Sequence, residues 1–250
     1  MSRPDSSALD CVVIGAGAAG LATSHALGAS GIPHLILERG ATVGHTWTHL
    51  YDSLVLHTAR RLSTLPGLDY PAGTPRFPTR RDVVSYLAAY AARFRAPVET
   101  GVEISSLAGD GGAWIARAAN GVTFRARTAV VATGIVANPV RPDLPGRSSY
   151  RGDVLHSVDY RRPDPWIGRR VLVVGAGNSA GEIAAELADA GAEVTLSVRS
   201  GTAVMPRDVA GVPLQYLAVA AATLPEPLQH LVTRGFVTIS SLVRGPSPLP

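Results

Sequence analysis

A short apolar run, Cys11-Val-Val-Ile14, leads directly into Gly15-Ala-Gly-Ala-Ala-Gly20, and a second, Arg170-Val-Leu-Val-Val174, leads into Gly175-Ala-Gly-Asn-Ser-Ala-Gly181. A buried strand that ends in closely spaced glycines and continues into small helix-forming residues has few conformations open to it. It turns tightly into a helix whose unpaired N-terminal amides face outward. Residues 21–30 read as that helix in the first copy, and His34-Leu-Ile-Leu37 as the next buried strand. In the second copy residues 182–190 read as helix and 193–198 as strand. The chain therefore repeats one βαβ unit after about 160 residues.

Such a turn is a phosphate cradle. Gly15 allows the tight bend, Gly17 lets the backbone approach a pyrophosphate, and Gly20 lets helix and strand pack closely. The helix dipole and the free amides favour an anion there. Glu38 ends the second strand, where a carboxylate accepts hydrogen bonds from ribose hydroxyls and repels a 2′-phosphate. The second copy keeps Gly175 and Gly177, follows them with Asn178 and Ser179, and carries Ala180 and Gly181 where the third glycine falls. It differs where the ribose would sit: Arg199 and Ser200 take the place of Glu38 and its neighbour, and a guanidinium beside a hydroxyl suits a 2′-phosphate. One cradle selects against that phosphate and the other for it, so the expected cofactors are FAD at the first and NADPH at the second. The expected fold class is α/β, with two Rossmann-like dinucleotide-binding domains, the second incomplete.

Between the copies the pattern changes several times. Residues 40–79 are irregular and hold Pro66, Pro71, Pro75 and Pro78, and a loop of that length is usually functional. Thr79 is expected to cap a helix over 80–95 whose apolar face is Val83, Val84, Leu87, Tyr90 and Ala91. Strands are expected over 102–107, 113–118 and 122–127, with Asn120-Gly121 as a hairpin turn and a further buried strand over 128–133. Pro139, Pro142 and Pro145 mark a boundary, giving an FAD-binding domain over 1–145 and an NADPH-binding domain over 146–250. Residues 212–243 read as two apolar helices broken at Pro225, packed in a core or against a missing part.

Composition narrows the function further. All 23 basic residues are arginine, so a Walker-type phosphate loop and a pyridoxal Schiff base, which both need lysine, are excluded. The net charge of +4 is scattered, which suits anionic small molecules better than nucleic acid. Cys11 is the only cysteine, so neither a disulfide, a cysteine-rich metal site nor the dithiol of disulfide-reducing flavoenzymes is available within the chain. The polar N-terminus and the brevity of the uncharged run 209–225, which Pro213 and Gln215 interrupt, point to a cytoplasmic protein without membrane contact. Gly177-Asn-Ser179-Ala-Gly181 also spells a hydrolase nucleophile elbow, but no His-Gly-Gly loop accompanies it, and that reading leaves Glu38 and Arg199 unexplained. His45 and His49 lie one helical turn apart without a third metal ligand at suitable spacing. Arg151-Gly-Asp153 is a chance spelling of an adhesion tripeptide.

Just before the second glycine turn stands Tyr150-x-Gly152-x-x-x-His156-x-x-x-Tyr160. It resembles the fingerprint of flavin-containing monooxygenases, with Tyr150 in place of their phenylalanine, and Tyr160 in place of the tryptophan that marks the Baeyer–Villiger branch. Leu35-Ile-Leu-Glu-Arg39, Thr46-Trp47, Tyr51-Asp52, Leu54-x-Leu56-His57, Phe77-Pro-Thr79 and Ala132-Thr-Gly134 are similar to stretches of YUCCA-type and related bacterial members. The resemblance implies that NADPH reduces FAD and that O2 then forms a flavin hydroperoxide which oxygenates a small organic substrate. The flavin would carry the chemistry, so no catalytic side chain is assigned. By the same resemblance Arg39 and Trp47 would border the FAD, although Trp47 is equally suited to core packing, and Gly152 and His156 would support the NADPH site. Members of the family continue well beyond the equivalent of Pro250. The chain is therefore expected to be a fragment, to pair with a second polypeptide, or to be a non-catalytic binding protein. An NADPH-driven flavoprotein reductase that passes electrons to a partner is the alternative use of the same fold.

Overall fold

The computed structural model describes residues 9–199, 205–226, 228 and 229. A six-stranded sheet, in the order β3-β2-β1-β6-β5-β4, organises the first part of the chain. Its centre is β1 (Leu9–Ile14), which pairs in parallel with β2 (His34–Glu38) on one side and with β6 (Thr123–Val131) on the other. A strand with neighbours on both sides and packing on both faces must be apolar throughout, and Val12 and Val13 are wholly buried. Alternation then sorts the side chains. Cys11, Val13 and Ile36 join Leu21 of α1 (Ala18–Ala29) and Val83, Leu87 and Tyr90 of α3 (Arg80–Arg93) in one cluster. Val12 and Leu37 join Val102, Ala116 and Phe124 in another.

Several expectations need correction. The helix expected over 21–30 begins earlier, at Ala18, directly after Gly17, because the glycine turn itself supplies the N-terminus. A short strand, β3 (Val98–Thr100), was not foreseen and pairs in parallel with β2. The strand expected over 102–107 is β4 (Ile104–Asp110), because Val102 donates its amide to the Glu38 carbonyl instead. The strands expected over 122–127 and 128–133 are a single strand, β6, whose first half pairs antiparallel with β5 (Ala113–Ala118) and whose second half runs parallel to β1. The turn between β5 and β6 is where Asn120-Gly121 placed it, with Gly121 at φ 87° and the Asn120 side chain accepting from the Val122 amide.

The helix capped by Thr79 ends at Arg93, two residues early, and the chain leaves it through Arg95 at φ 48°. Its cap is reciprocal: Thr79 accepts from the Asp82 amide, and the Asp82 carboxylate accepts from the Thr79 amide at 2.8 Å. Tyr86, absent from the predicted apolar face, is buried, whereas Val84 and Ala91 are only partly so. The Tyr86 hydroxyl accepts from the Leu65 amide at 2.6 Å and donates to the Leu68 carbonyl at 2.7 Å, while Tyr90 donates to the Pro66 carbonyl. Two tyrosines thus satisfy the backbone of an irregular segment that has no ladder of its own. Tyr70 stacks on Tyr86 with ring centres 4.0 Å apart.

Burial raises the phenols of Tyr51, Tyr70, Tyr86, Tyr90 and Tyr160 above their ordinary value, and Tyr70 is pushed up to about 12. The unfolded chain ionises its tyrosines near pH ~10. Raised folded-state values therefore contribute stability below that pH, and this stability is lost as the pH climbs through the folded values. Phenolate absorbance followed with far-UV circular dichroism should show these five side chains ionising only as the fold is lost. Ionisation of any of these five near pH ~10 in a chain that remains folded would contradict their burial.

The second part of the chain holds a smaller sheet, β7 (Arg170–Val174) parallel to β8 (Glu193–Ser197), joined by α4 (Asn178–Asp189). The helix expected over 182–190 again begins earlier, at the residue after a glycine. Ile183 and Leu187 pack with Val171, Val173 and Val194 on one face, while Leu172 and Val174 on the other face are more than half exposed. A hairpin of β9 (Asp208–Val209) and β10 (Val212–Pro213) precedes α5 (Leu214–Ala222). This helix is shorter than the apolar run suggested, and Leu217 and Val219 are exposed. The second helix expected before residue 243 lies largely outside the described residues. Among the described residues no helix is long and apolar enough to cross a membrane.

Candidate nucleotide-binding sites

At the first glycine turn, Gly15 has φ 106° and a Cβ there would lie 2.5 Å from the Ala132 carbonyl oxygen. A Cβ on Gly20 would fall well inside contact distance of the Gly15 carbonyl, so helix and strand touch backbone to backbone. Gly17, in contrast, faces open space, and no side chain caps the amides of α1 that begin beside it. Bare amides, helix dipole and an open approach are what a pyrophosphate needs. A dinucleotide therefore fits the residues present.

Glu38 is only 7% exposed, and its partners lie within the chain. Its carboxylate accepts from the Ala16 amide at 2.7 Å and from the Gly40 amide at 2.8 Å, tying the glycine turn to the end of β2. A carboxylate offers about four acceptor positions, so capacity for hydroxyls remains. Arg39 is exposed, its guanidinium 3.4 Å from the Ala137 carbonyl. Trp47, in the short helix α2 (His45–Thr48), is half-buried and packs against the first core cluster. The His45 and His49 rings lie 4.2 Å apart, and burial first, then the neighbouring His49, lowers the His45 imidazole. Among the described residues no group of three or more His, Cys, Asp or Glu could hold a metal ion.

The second turn is looser. Gly175 repeats the positive φ, at 117°, but a Cβ on Gly175, Gly177 or Gly181 would meet nothing within 4 Å. Asn178 and Ser179 are the first two residues of α4, and Arg199 stands exposed just beyond β8. Ser200 lies outside the described residues.

The residues of the 150–160 fingerprint have local structural work. The Tyr150 ring lies across Gly152 where any Cβ would be. His156 accepts the Val158 amide on Nδ1 at 3.2 Å and so caps the turn Ser157–Asp159. The Arg141 guanidinium, bonded to Asp159 at 2.6 Å, holds that carboxyl below its usual range. Tyr160 is buried, and its hydroxyl donates to Glu186 at 2.9 Å.

A set of contacts that sequence reasoning missed joins the irregular 40–79 segment to the second unit. Buried Tyr51 donates to Glu182 of α4, and His57 Nε2 lies 2.8 Å from the other oxygen of that carboxylate. Burial chiefly, and then the Glu182 bond, drives the Tyr51 phenol well up, while the Ser179 hydroxyl acts in the opposite direction. Gln215 of α5 donates to the His57 carbonyl and accepts from the Ala59 amide. The nearest sequence signal is the spacing of Glu182 and Glu186, one helical turn apart on the same helix.

The family model described as pyridine nucleotide-disulphide oxidoreductase matches residues 12–211, which include both glycine turns. The chain belongs to that family. Within it, the chain lies close to the flavin monooxygenases. It is 37% identical over 237 residues to the indole-3-pyruvate monooxygenase YUCCA1 of Oryza sativa subsp. japonica, an alignment covering 94% of this chain and 58% of the relative. Among solved structures it is similar to the flavin-containing monooxygenase of Stenotrophomonas maltophilia, at 32% identity and a TM-score of 0.77, covering 91% of this chain and 68% of that one. The S-allyl-L-cysteine S-oxygenase of Allium sativum follows at 27% identity and a TM-score of 0.68, covering 81% and 54%. The chain thus spans little more than half the length of the rice relative. Within these 250 residues Cys11 is the only cysteine, so they contain no dithiol.

Proposed function

We propose that this chain forms the nucleotide-binding part of an FAD- and NADPH-dependent monooxygenase that uses O2 on a small organic substrate. The observation that carries the reading is the contrast between two similar turns, one backed by the buried Glu38 and the other followed by the exposed Arg199. The likeness to flavin monooxygenases supports it.

The FAD unit would occupy residues 1–145 and the NADPH unit 146–250. The amides beside Gly15, Gly17 and Gly20 would hold the FAD pyrophosphate, and Glu38 would take the adenosine ribose on its remaining lone pairs. Arg39 and Trp47 would border the cofactor. Gly175, Gly177, Asn178 and Ser179 would cradle the NADPH pyrophosphate, with Arg199 and Ser200 on the 2′-phosphate, and with Gly152 and His156 supporting the site. When bound, FAD supplies hydride acceptance and oxygen activation, and the side chains bind, orient and exclude water.

The test is spectroscopic. Purified chain loaded with FAD and mixed with NADPH without oxygen should lose the visible flavin band, and NADH should act at least about tenfold less efficiently. Arg199→Ala should erase about tenfold of that preference, the worth of one charge-assisted bond to phosphate. A chain that takes up no FAD, or that accepts both nucleotides equally, would sink the assignment.

A further inference from the structure

The segment that follows β2 touches both cradles. At one end Gly44 donates its amide to the carbonyl of Ala16, which lies between Gly15 and Gly17, at 3.0 Å. A few residues on, Tyr51 reaches the first turns of α4 through Glu182, and Ser179 acts on the same phenol. The stretch between is held firmly. Arg161 donates to the Leu50 carbonyl at 3.0 Å and accepts the Asp52 amide on its own carbonyl at 2.9 Å, so Tyr51 is clamped on both sides. Arg80 binds both the Thr48 carbonyl and the Asp52 carboxylate. His57, and more distantly Arg207, hold the second oxygen of Glu182. A stiff span anchored at each end transmits a shift better than a floppy loop, because packed segments move between discrete arrangements.

We propose that the segment from Gly44 to His57 couples the two nucleotide cradles, with Tyr51 as the positioning residue that relays FAD occupancy to α4 at Glu182. The proposal rests on the assignment of FAD and NADPH to these two turns. Coupling of this kind is reciprocal: whatever factor FAD adds to NADP+ affinity, NADP+ adds to FAD affinity. Tyr160 provides an internal comparison, because it makes an equivalent buried bond to the same helix through Glu186, one turn further from the cradle.

The experiment is isothermal titration of FAD and NADP+, each alone and in the presence of the other. It uses the full chain, Tyr51→Phe and Tyr160→Phe, with folding checked by circular dichroism. The unsubstituted chain should bind NADP+ at least about fivefold more tightly once FAD is bound, and FAD more tightly by the same factor with NADP+. Tyr51→Phe should lose that factor while binding FAD alone as before, and Tyr160→Phe should lose thermal stability but keep the factor. Should Tyr51→Phe fail to fold, Glu182→Gln is read in its place and should also lose the factor. A Tyr51→Phe chain that keeps the factor, or a Tyr160→Phe chain that loses it equally, overturns the proposal. A chain that binds both nucleotides with the same affinity singly and together overturns the coupling but leaves the assignment of sites standing. A chain that binds neither removes both.

Discussion

Gly20→Ala should destabilise the chain by about 3 kcal/mol, a drop in Tm of roughly 6–12 °C for a chain of this size. The added methyl group would enter the space of the Gly15 carbonyl oxygen, a backbone atom with nowhere to go. Gly15 is itself pressed against the Ala132 carbonyl, and β1 is hydrogen-bonded on both sides. Helix and strand would have to separate, opening the first core cluster at Leu21 and Val13. The second copy provides the contrast. Gly181 has nothing within 4 Å of its would-be Cβ and sits inside α4, so Gly181→Ala should be neutral or stabilise by up to about 1 kcal/mol through helix propensity. Urea denaturation followed by circular dichroism distinguishes the two. Equal midpoints for Gly20→Ala and the unsubstituted chain would show that the close approach at the first turn is not what holds it.

Glu38→Ala should cost a similar amount, about 3 kcal/mol, and should do so in the absence of any nucleotide. Its carboxylate is the acceptor for two backbone amides, Ala16 and Gly40, in a buried setting. Removing it strands both donors, and each carries its own desolvation penalty. Glu38→Gln retains one acceptor oxygen but turns an NH2 group toward the second amide, so it should lose about half as much. Thermal unfolding of the FAD-free chain separates this structural role from any part in holding ribose. If FAD-free Glu38→Ala melts with the unsubstituted chain, the two amide bonds contribute nothing and only a ligand role remains.

How far the sequence is legible depends on how local each feature is. The glycine turns were readable because their spacing and the apolar runs before them leave little conformational choice. Thr79 as a helix cap and Asn120-Gly121 as a hairpin turn were readable for the same reason: each is a local event between neighbours in sequence. Both helices begin a few residues before the sequence suggests, because glycine and alanine look like loop until the turn is known to be the N-terminus. Two expected strands became one β6, since nothing local shows that a single strand changes partner midway from antiparallel β5 to parallel β1. Tyr86 was missed because a polar hydroxyl hides a buried ring, and its partners at Leu65 and Leu68 lie on another segment.

By itself the sequence determined that the chain is α/β, that it carries two glycine turns between strand and helix, that their second halves bear opposite charge, and that disulfide, lysine and cysteine-metal chemistry are unavailable within it. Those follow from composition and from residues within one or two turns of each other. Only the tertiary structure decided that Glu38 spends part of its hydrogen-bonding capacity on the glycine turn, and that the 150–160 fingerprint docks on α4 through Tyr160. It alone joined Tyr51 and His57 to Glu182. The physical reason is the same in each case. A hydrogen bond between residues far apart in sequence forms only because the sheets bring them together, and no short-range pattern encodes that meeting.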